Sequence, residues 1–74
     1  MFKNNIWINA GKIRRLLLEN GTLSIREIED YSLIGEPLIY YSLGWLARED
    51  KVRFFEKGDA VYVELKTIFT DINI

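Results

Sequence analysis

The chain contains no cysteine, no histidine and one proline in 74 residues. Without cysteine there is no disulfide framework and no thiolate metal site, and without histidine the commonest zinc ligand and general base are missing. Neither a Gly-rich phosphate loop nor an acidic motif is present, so we expect no enzyme, no catalytic residue, no metal, no cofactor and no small-molecule substrate. The N-terminus does not resemble a signal peptide and no long apolar run follows, so we expect a cytoplasmic protein without a membrane partner.

A positive charge excess is also missing, because Lys and Arg number 10 against 11 Asp and Glu, for a net charge of −1. Modules that bind nucleic acid phosphates usually carry a clear positive excess. The composition does support a packed core, since 49% of the residues are hydrophobic and 14% are aromatic. We therefore predict one folded domain over residues 1–74, with a core at about 6–65 and an apolar C-terminal tail at 66–74.

The first predicted helix covers residues 6–20. Its polar residues lie opposite an apolar stripe, and Gly21 follows the helix as a C-terminal cap. Trp7 is expected to pack in or near the core. The stripe at helical spacing consists of Ile6, Ala10, Ile13 and Leu17.

A short extended segment at residues 22–23 precedes a second helix. Ser24 and Glu27 form a capping-box pattern that starts this helix, and we expect the helix to end near Tyr31. Leu33 and Ile34 in the following connection are expected to anchor the turn in the core.

The third predicted helix, residues 35–50, organises the rest of the chain. Pro37 suits its first turn, with Gly35 or Glu36 as the cap. An apolar stripe faces the core, and Trp45 widens it. The stripe consists of Ile39, Leu43 and Leu46.

Beyond residue 50 the apolar period changes from 3.6 to 2. Residues 52–57 and 60–65 alternate apolar and polar side chains around Gly58 and Asp59, which predicts a tight hairpin. A hairpin alone is marginally stable, so we expect residues 22–23 to add a third strand. The sequence thus predicts an α+β winged helix-turn-helix fold, with a three-helix core, a C-terminal β-hairpin wing and a short strand between helices 1 and 2.

Four segments also carry a family resemblance over about residues 6–65. The chain resembles the small stand-alone prokaryotic winged helix-turn-helix proteins of uncharacterised function, and the GWLARE-D-K run at residues 44–51 is the specific part. The resemblance implies DNA binding or dimerisation and brings no known ligand or catalytic residue. Pro37 and the apolar tail depart from the family pattern. The segments are NAGKI, SIRE, LGWLAREDK and EKGDAVYVEL.

Duplex DNA is the first candidate partner, because the third helix of this architecture enters the major groove. Within residues 36–50 the only basic residue is Arg48, and a cation in a last helical turn is also explained by the helix dipole. Tyr40, Tyr41 and Ser42 can reach phosphates or thymine methyls, but exposed tyrosines equally suit a protein contact. Our candidate DNA-contacting residues are Tyr40, Tyr41, Arg48, Arg53 and Lys57.

A homodimer is the second candidate. In this alternative the same winged-helix fold is a protein-protein interaction module that does not bind DNA. If Val52 and Phe54 face the core, strand alternation places Phe55 outward beside Tyr62. Soluble monomers seldom leave a contiguous apolar patch open. The alternatives are a bulge at residues 54–55 or a tail that covers this face. Our candidate partner surface consists of Phe55, Tyr62, Ile68 and Phe69.

Overall fold

The computed structural model describes residues 2–66, with side chains from residue 5 onward. The three strands form one antiparallel sheet in the order β1-β3-β2, and the helices pack on one of its faces. This architecture confirms the predicted winged helix fold, including the short strand between the first two helices. In chain order the elements are α1 (Phe2–Asn20), β1 (Leu23–Ser24), α2 (Ile25–Ser32), α3 (Leu38–Arg48), β2 (Val52–Lys57) and β3 (Ala60–Leu65).

Helix α1 begins four residues earlier than predicted and ends where predicted. Gly21 adopts a φ of +82°, a left-handed conformation that glycine reaches without Cβ strain, and its N–H donates to the Leu17 carbonyl at 2.8 Å. Trp7 is 66% exposed, so its predicted place in or near the core is wrong. The reason is its position on α1 ahead of Ala10, the first fully buried residue of the helix.

Helix α2 begins with the predicted capping box. The Ser24 hydroxyl accepts from the Glu27 N–H at 3.0 Å, and the Ser24 N–H donates to the Glu27 carboxylate at 2.8 Å. At the other end Leu33 caps the helix at a φ of 61° and is 87% exposed. The prediction that Leu33 anchors the turn is therefore wrong, because this left-handed cap carries its side chain into solvent, while Ile34 is buried as predicted.

Helix α3 is shorter than predicted at both ends. Pro37 is the N-cap, with a φ of −88° and a ψ of 0°, and no side chain caps the helix. Because that ψ is not helical, the first helical residue is Leu38 rather than Pro37. At the C-terminus Asp50 adopts a φ of 59°, and the Lys51 N–H donates to the Leu46 carbonyl at 2.9 Å. The left-handed Asp50 and this hydrogen bond are features of a Schellman motif, which ends the helix before residue 50.

The hairpin has the predicted strands and turn. Lys57 pairs with Ala60 across the two-residue turn, and Gly58 supplies the positive φ, +64°, that the first position of a type II′ turn requires. β1 comprises Leu23 and Ser24, one residue later than predicted, and Ser24 pairs with Tyr62 of β3.

One hydrophobic core lies between the helices and the sheet. Trp45 packs against it as predicted, together with Leu16, Ile25 and Leu65. The predicted stripes of α1 and α3 are buried from Ala10 onward. The buried apolar residues are Ala10, Ile13, Leu17, Leu23, Ile28, Ile34, Ile39, Leu43, Leu46, Val52 and Val63.

Candidate nucleic-acid interface

The outward face of α3 carries the helical part of the predicted DNA-contacting set. Tyr40 and Tyr41 are 50% and 49% exposed, and Arg48 is exposed in the last turn. Ser42 does not belong to this face, because it is 0% exposed, so its expected contact with phosphate is wrong. The Ser42 hydroxyl has no hydrogen-bond partner among the described residues.

Arg53 lies on the outer face of the sheet, which is turned away from the helices. Its guanidinium pairs with the Glu64 carboxylate at 3.4 Å, and the same carboxylate accepts from the Thr22 hydroxyl at 3.4 Å. Since the side chains of Arg53 and Glu64 remain 56% and 35% exposed, this ion pair contributes little to stability. It does hold the Arg53 cation on the sheet surface.

Four of the five predicted DNA-contacting residues fall into two groups, and the fifth, Tyr41, follows Tyr40 on the outward face of α3. Tyr40 shares a groove with the hairpin turn, and Lys57 lies at the same end of the hairpin, opposite Ala60. Arg48 ends α3 and Arg53 is the second residue of β2, so these two flank the connection between the helix and the wing. The structure thus brings together one group at the wing tip and another at the far end of α3.

The groove between α2, the start of α3 and the wing tip is acidic. It encloses about 680 Å³ and carries three carboxylates, those of Glu29, Asp30 and Asp59, against the single guanidinium of Arg26. A DNA phosphate in this groove would meet a net negative charge. The lining residues are Ser24, Ile25, Arg26, Glu29, Asp30, Tyr40, Asp59, Ala60 and Val61.

The pKa of Tyr40 is raised by nearby carboxylates, of which Glu29 lines the groove and Glu36 does not. The carboxylate of Glu36 raises the pKa of the Tyr40 phenol above its ordinary value, and partial desolvation and the Glu29 carboxylate raise it further. The cause is that a phenolate would be repelled by both acids. The raised pKa favours the neutral phenol over the phenolate, and the neutral phenol can donate a hydrogen bond.

The outer sheet face also carries the aromatic part of the predicted partner surface. Phe55 stacks on Tyr62, with ring centroids 5.7 Å apart and an angle of 17° between the planes. Phe55 is 38% exposed, and Phe54, on the core side of the sheet opposite Val63, is 42% exposed. The other two residues of the predicted surface, Ile68 and Phe69, lie outside the described residues.

The acidic groove has no signature in the sequence. Glu29 and Asp30 occur within α2, and Asp59 occurs in the hairpin turn, so each has an ordinary local reason to be acidic. Their meeting depends on how the wing packs against α2, which no local pattern encodes. Trp7 was missed as a surface residue for a similar reason, since the spacing along α1 does not show where the core ends.

Among the described residues, no helix is long and apolar enough to cross a bilayer, and no group of three or more acidic side chains is arranged to hold a metal ion. No curated protein and no solved structure matches the chain. Residues 1–65 match the family described as Winged helix-turn-helix domain (DUF2582). Because that match spans most of the chain, and as the GWLARE-D-K run predicted, the protein belongs to this family of winged helix-turn-helix proteins.

Proposed function

We propose that the protein is a non-catalytic DNA-binding module of the transcription-regulator type. The observation that carries the proposal is the outward face of α3, which presents Tyr40, Tyr41 and Arg48 on the second helix of the helix-turn-helix. In this architecture that helix is the element that enters the major groove. Membership of a winged helix-turn-helix family supports the same assignment.

The exposed side chains of α3 can contact both the phosphates and the bases of DNA. The neutral phenol of Tyr40 donates a hydrogen bond to a phosphate oxygen, and the ring offers an apolar surface to a thymine methyl. Arg48 offers a bidentate donor to guanine or to a phosphate. The net negative charge of the acidic groove disfavours a phosphate inside the groove, so the DNA lies along the outward face of α3. Lys57 does not line the groove and can contact a phosphate beside it.

The charge distribution sets the expected strength of binding. Only Arg48, Arg53 and Lys57 of the proposed interface carry positive charge, and Arg53 already pairs with Glu64. Three phosphate contacts give a slope of log affinity against log salt of about −3. Nonspecific binding is therefore expected to be weak and detectable mainly at low salt.

A titration of random-sequence duplex DNA, followed by two-dimensional NMR of the backbone amides, tests the proposal. Shifts confined to α3 and β2 that fade as salt rises would support it. If no amide shifts at low salt, the module does not bind DNA through this face.

Alanine variants assign the contacts. Arg53→Ala and Lys57→Ala are each expected to weaken binding uniformly across DNA sequences and to reduce the salt slope by about one. Lys12→Ala removes the same charge from the exposed side of α1 and serves as the matched control. Unchanged affinity in both wing variants would remove Arg53 and Lys57 from the interface.

The second candidate function is a homodimeric protein-interaction module. The stacked pair Phe55 and Tyr62 favours it, because the ring of Phe55 stays 38% exposed on an open sheet face. Phe55→Asp is expected to turn a dimer into a folded monomer, and Leu33→Asp, an equal change at a residue 87% exposed elsewhere, is expected to leave the dimer intact. Sedimentation gives the mass, and a monomeric unmodified protein would reject this candidate.

A further inference from the structure

A second groove, here named the tryptophan cleft, lies between α1 and the C-terminal half of α3. It encloses about 440 Å³, and apolar atoms make up most of its surface. Both tryptophans of the chain line it, and an added Cβ on Gly11 would meet no atom within 4 Å. The cleft is therefore open, apolar and roomy. The lining residues are Trp7, Ile8, Ala10, Gly11, Arg14, Trp45, Leu46, Glu49 and Lys51.

The described part of the chain ends at the rim of this cleft. The Lys66 N–H donates to the carbonyl of Lys51, a lining residue, at 2.9 Å. The Lys66 ammonium lies 2.7 Å from the Asp50 carboxylate. These two bonds fix the point from which residues 67–74 depart.

Residues 67–74 have the composition and the length to fill the cleft. Half of them are large and apolar, a high share for a segment that lies beyond the residues matched to the family. At about 3.3 Å per residue, eight extended residues reach roughly 26 Å from the rim of the cleft. The apolar residues of the segment are Ile68, Phe69, Ile72 and Ile74.

Charge favours the same pairing. Arg14 and Lys51 line the cleft with Glu49 as the one acid, and neither cation has an ion-pair partner within residues 5–66. The segment brings one carboxylate, Asp71, and no cation. Its docking would thus add a negative group to a rim with a net positive charge.

We propose that residues 67–74 dock in the tryptophan cleft of their own molecule. The occupant comes from the same copy because Lys66 is bonded at the rim, which gives the segment a high effective concentration at the cleft. Docking covers the exposed faces of Trp7 and Ile8 and ties α1 to the C-terminus of α3. The cleft shares no described residue with either interface considered above, but docking would take Ile68 and Phe69 away from the predicted partner surface.

The two tryptophans report directly on the cleft, since the chain has no others. We compare the full chain with a chain that ends after Lys66, by tryptophan emission and acrylamide quenching. Truncation is expected to shift emission to longer wavelength and to increase quenching, while circular dichroism shows the fold retained. Identical emission and quenching in the two chains would overturn the proposal.

Point variants separate docking from a general effect of the segment. Phe69→Asp is expected to reproduce the truncation, and Leu33→Asp, the same kind of change at a distant exposed position, is expected to have no effect on emission. If Phe69→Asp and Ile68→Asp both leave emission and quenching as in the full chain, the segment does not occupy the cleft.

A change in the cleft itself gives an independent test. Gly11→Leu fills the open space and is expected to move the amide signals of residues 68–72 to random-coil positions, while the core signals stay in place. Unchanged signals would overturn the proposal. Dilution distinguishes the source of the segment: a truncation effect that disappears on dilution would mean that a second copy supplies the occupant, which also overturns it.

Discussion

The two grooves beside α3 have opposite chemistry. The tryptophan cleft against α1 is apolar and carries two indoles, whereas the groove against the wing carries three carboxylates and one guanidinium. The same helix supplies Trp45 and Leu46 to the first and Tyr40 to the second. The difference shows that one helix can present two unlike surfaces, an apolar one toward α1 and one with a net negative charge toward the wing.

The largest expected effect compares the contribution of the core to stability with that of the acidic groove. The Ile13 side chain is 0% exposed. The substitution Ile13→Ala is therefore expected to lower the free energy of unfolding by about 2–5 kcal/mol. Ile25→Ala, at a half-buried residue that lines the acidic groove, is expected to cost clearly less. Urea denaturation measures both, and equal losses would contradict the greater contribution of the core.

The next effect concerns the charge of the acidic groove. The double substitution Glu29→Gln and Asp59→Asn is expected to strengthen duplex binding at low salt by about tenfold. Each removed charge is expected to improve the binding free energy by roughly 0.7 kcal/mol. The matched control, Glu19→Gln with Glu49→Gln, removes the same charge outside the groove. Fluorescence anisotropy with a labelled duplex gives the affinities, and a similar gain in the control would show that only net charge matters.

A smaller effect is expected inside α3, between the two grooves. Ser42→Ala removes a buried hydroxyl that has no partner among the described residues, so we expect a gain in unfolding free energy of about 1 kcal/mol. Ser32→Ala has the opposite expectation, because the Ser32 hydroxyl accepts from the Ile34 N–H at 3.1 Å. Thermal unfolding of both variants measures the signs, and a loss of stability in Ser42→Ala would indicate a partner for the hydroxyl.

The smallest expected effect is a change in the pKa of Tyr40. Glu36→Gln is expected to return the pKa of Tyr40 toward the ordinary tyrosine value, since Glu36 is the main cause of the rise. Because the folded protein keeps this proton to higher pH than the unfolded chain does, stability falls as pH rises through this alkaline range. Ultraviolet titration, with Tyr40→Phe to assign the signal, measures the shift, and no change in Glu36→Gln would contradict the assigned cause.

Local chemistry explains which parts of the fold the sequence predicts. The capping box at Ser24, the glycine at residue 21 and the turn at Gly58 each depend on neighbouring residues, so their patterns identify them directly. The start of α3 was misplaced because Pro37 fits either a cap or a first turn, and only the backbone shows which. Leu33 was misplaced because a left-handed leucine cap has no sequence signal.

The candidate site was less predictable than the fold. The exposure of Tyr40 and Tyr41 follows from helical spacing alone, and so does the burial of Ile39. The pairing of Arg53 with Glu64 needs the register of the hairpin and the position of Thr22, which bring together residues distant in the chain. Electrostatics at the site therefore depends on tertiary packing.

Ser24 has a consequence for the cooperativity of folding. It is at once the last residue of β1, paired with Tyr62, and the N-cap of α2, with its hydroxyl on the Glu27 N–H. Separation of β1 from β3 would therefore also loosen the first turn of α2. The Glu27 amide is expected to exchange its hydrogen in the same opening event as the β3 amides, so that a two-residue strand couples the helix-turn-helix to the wing.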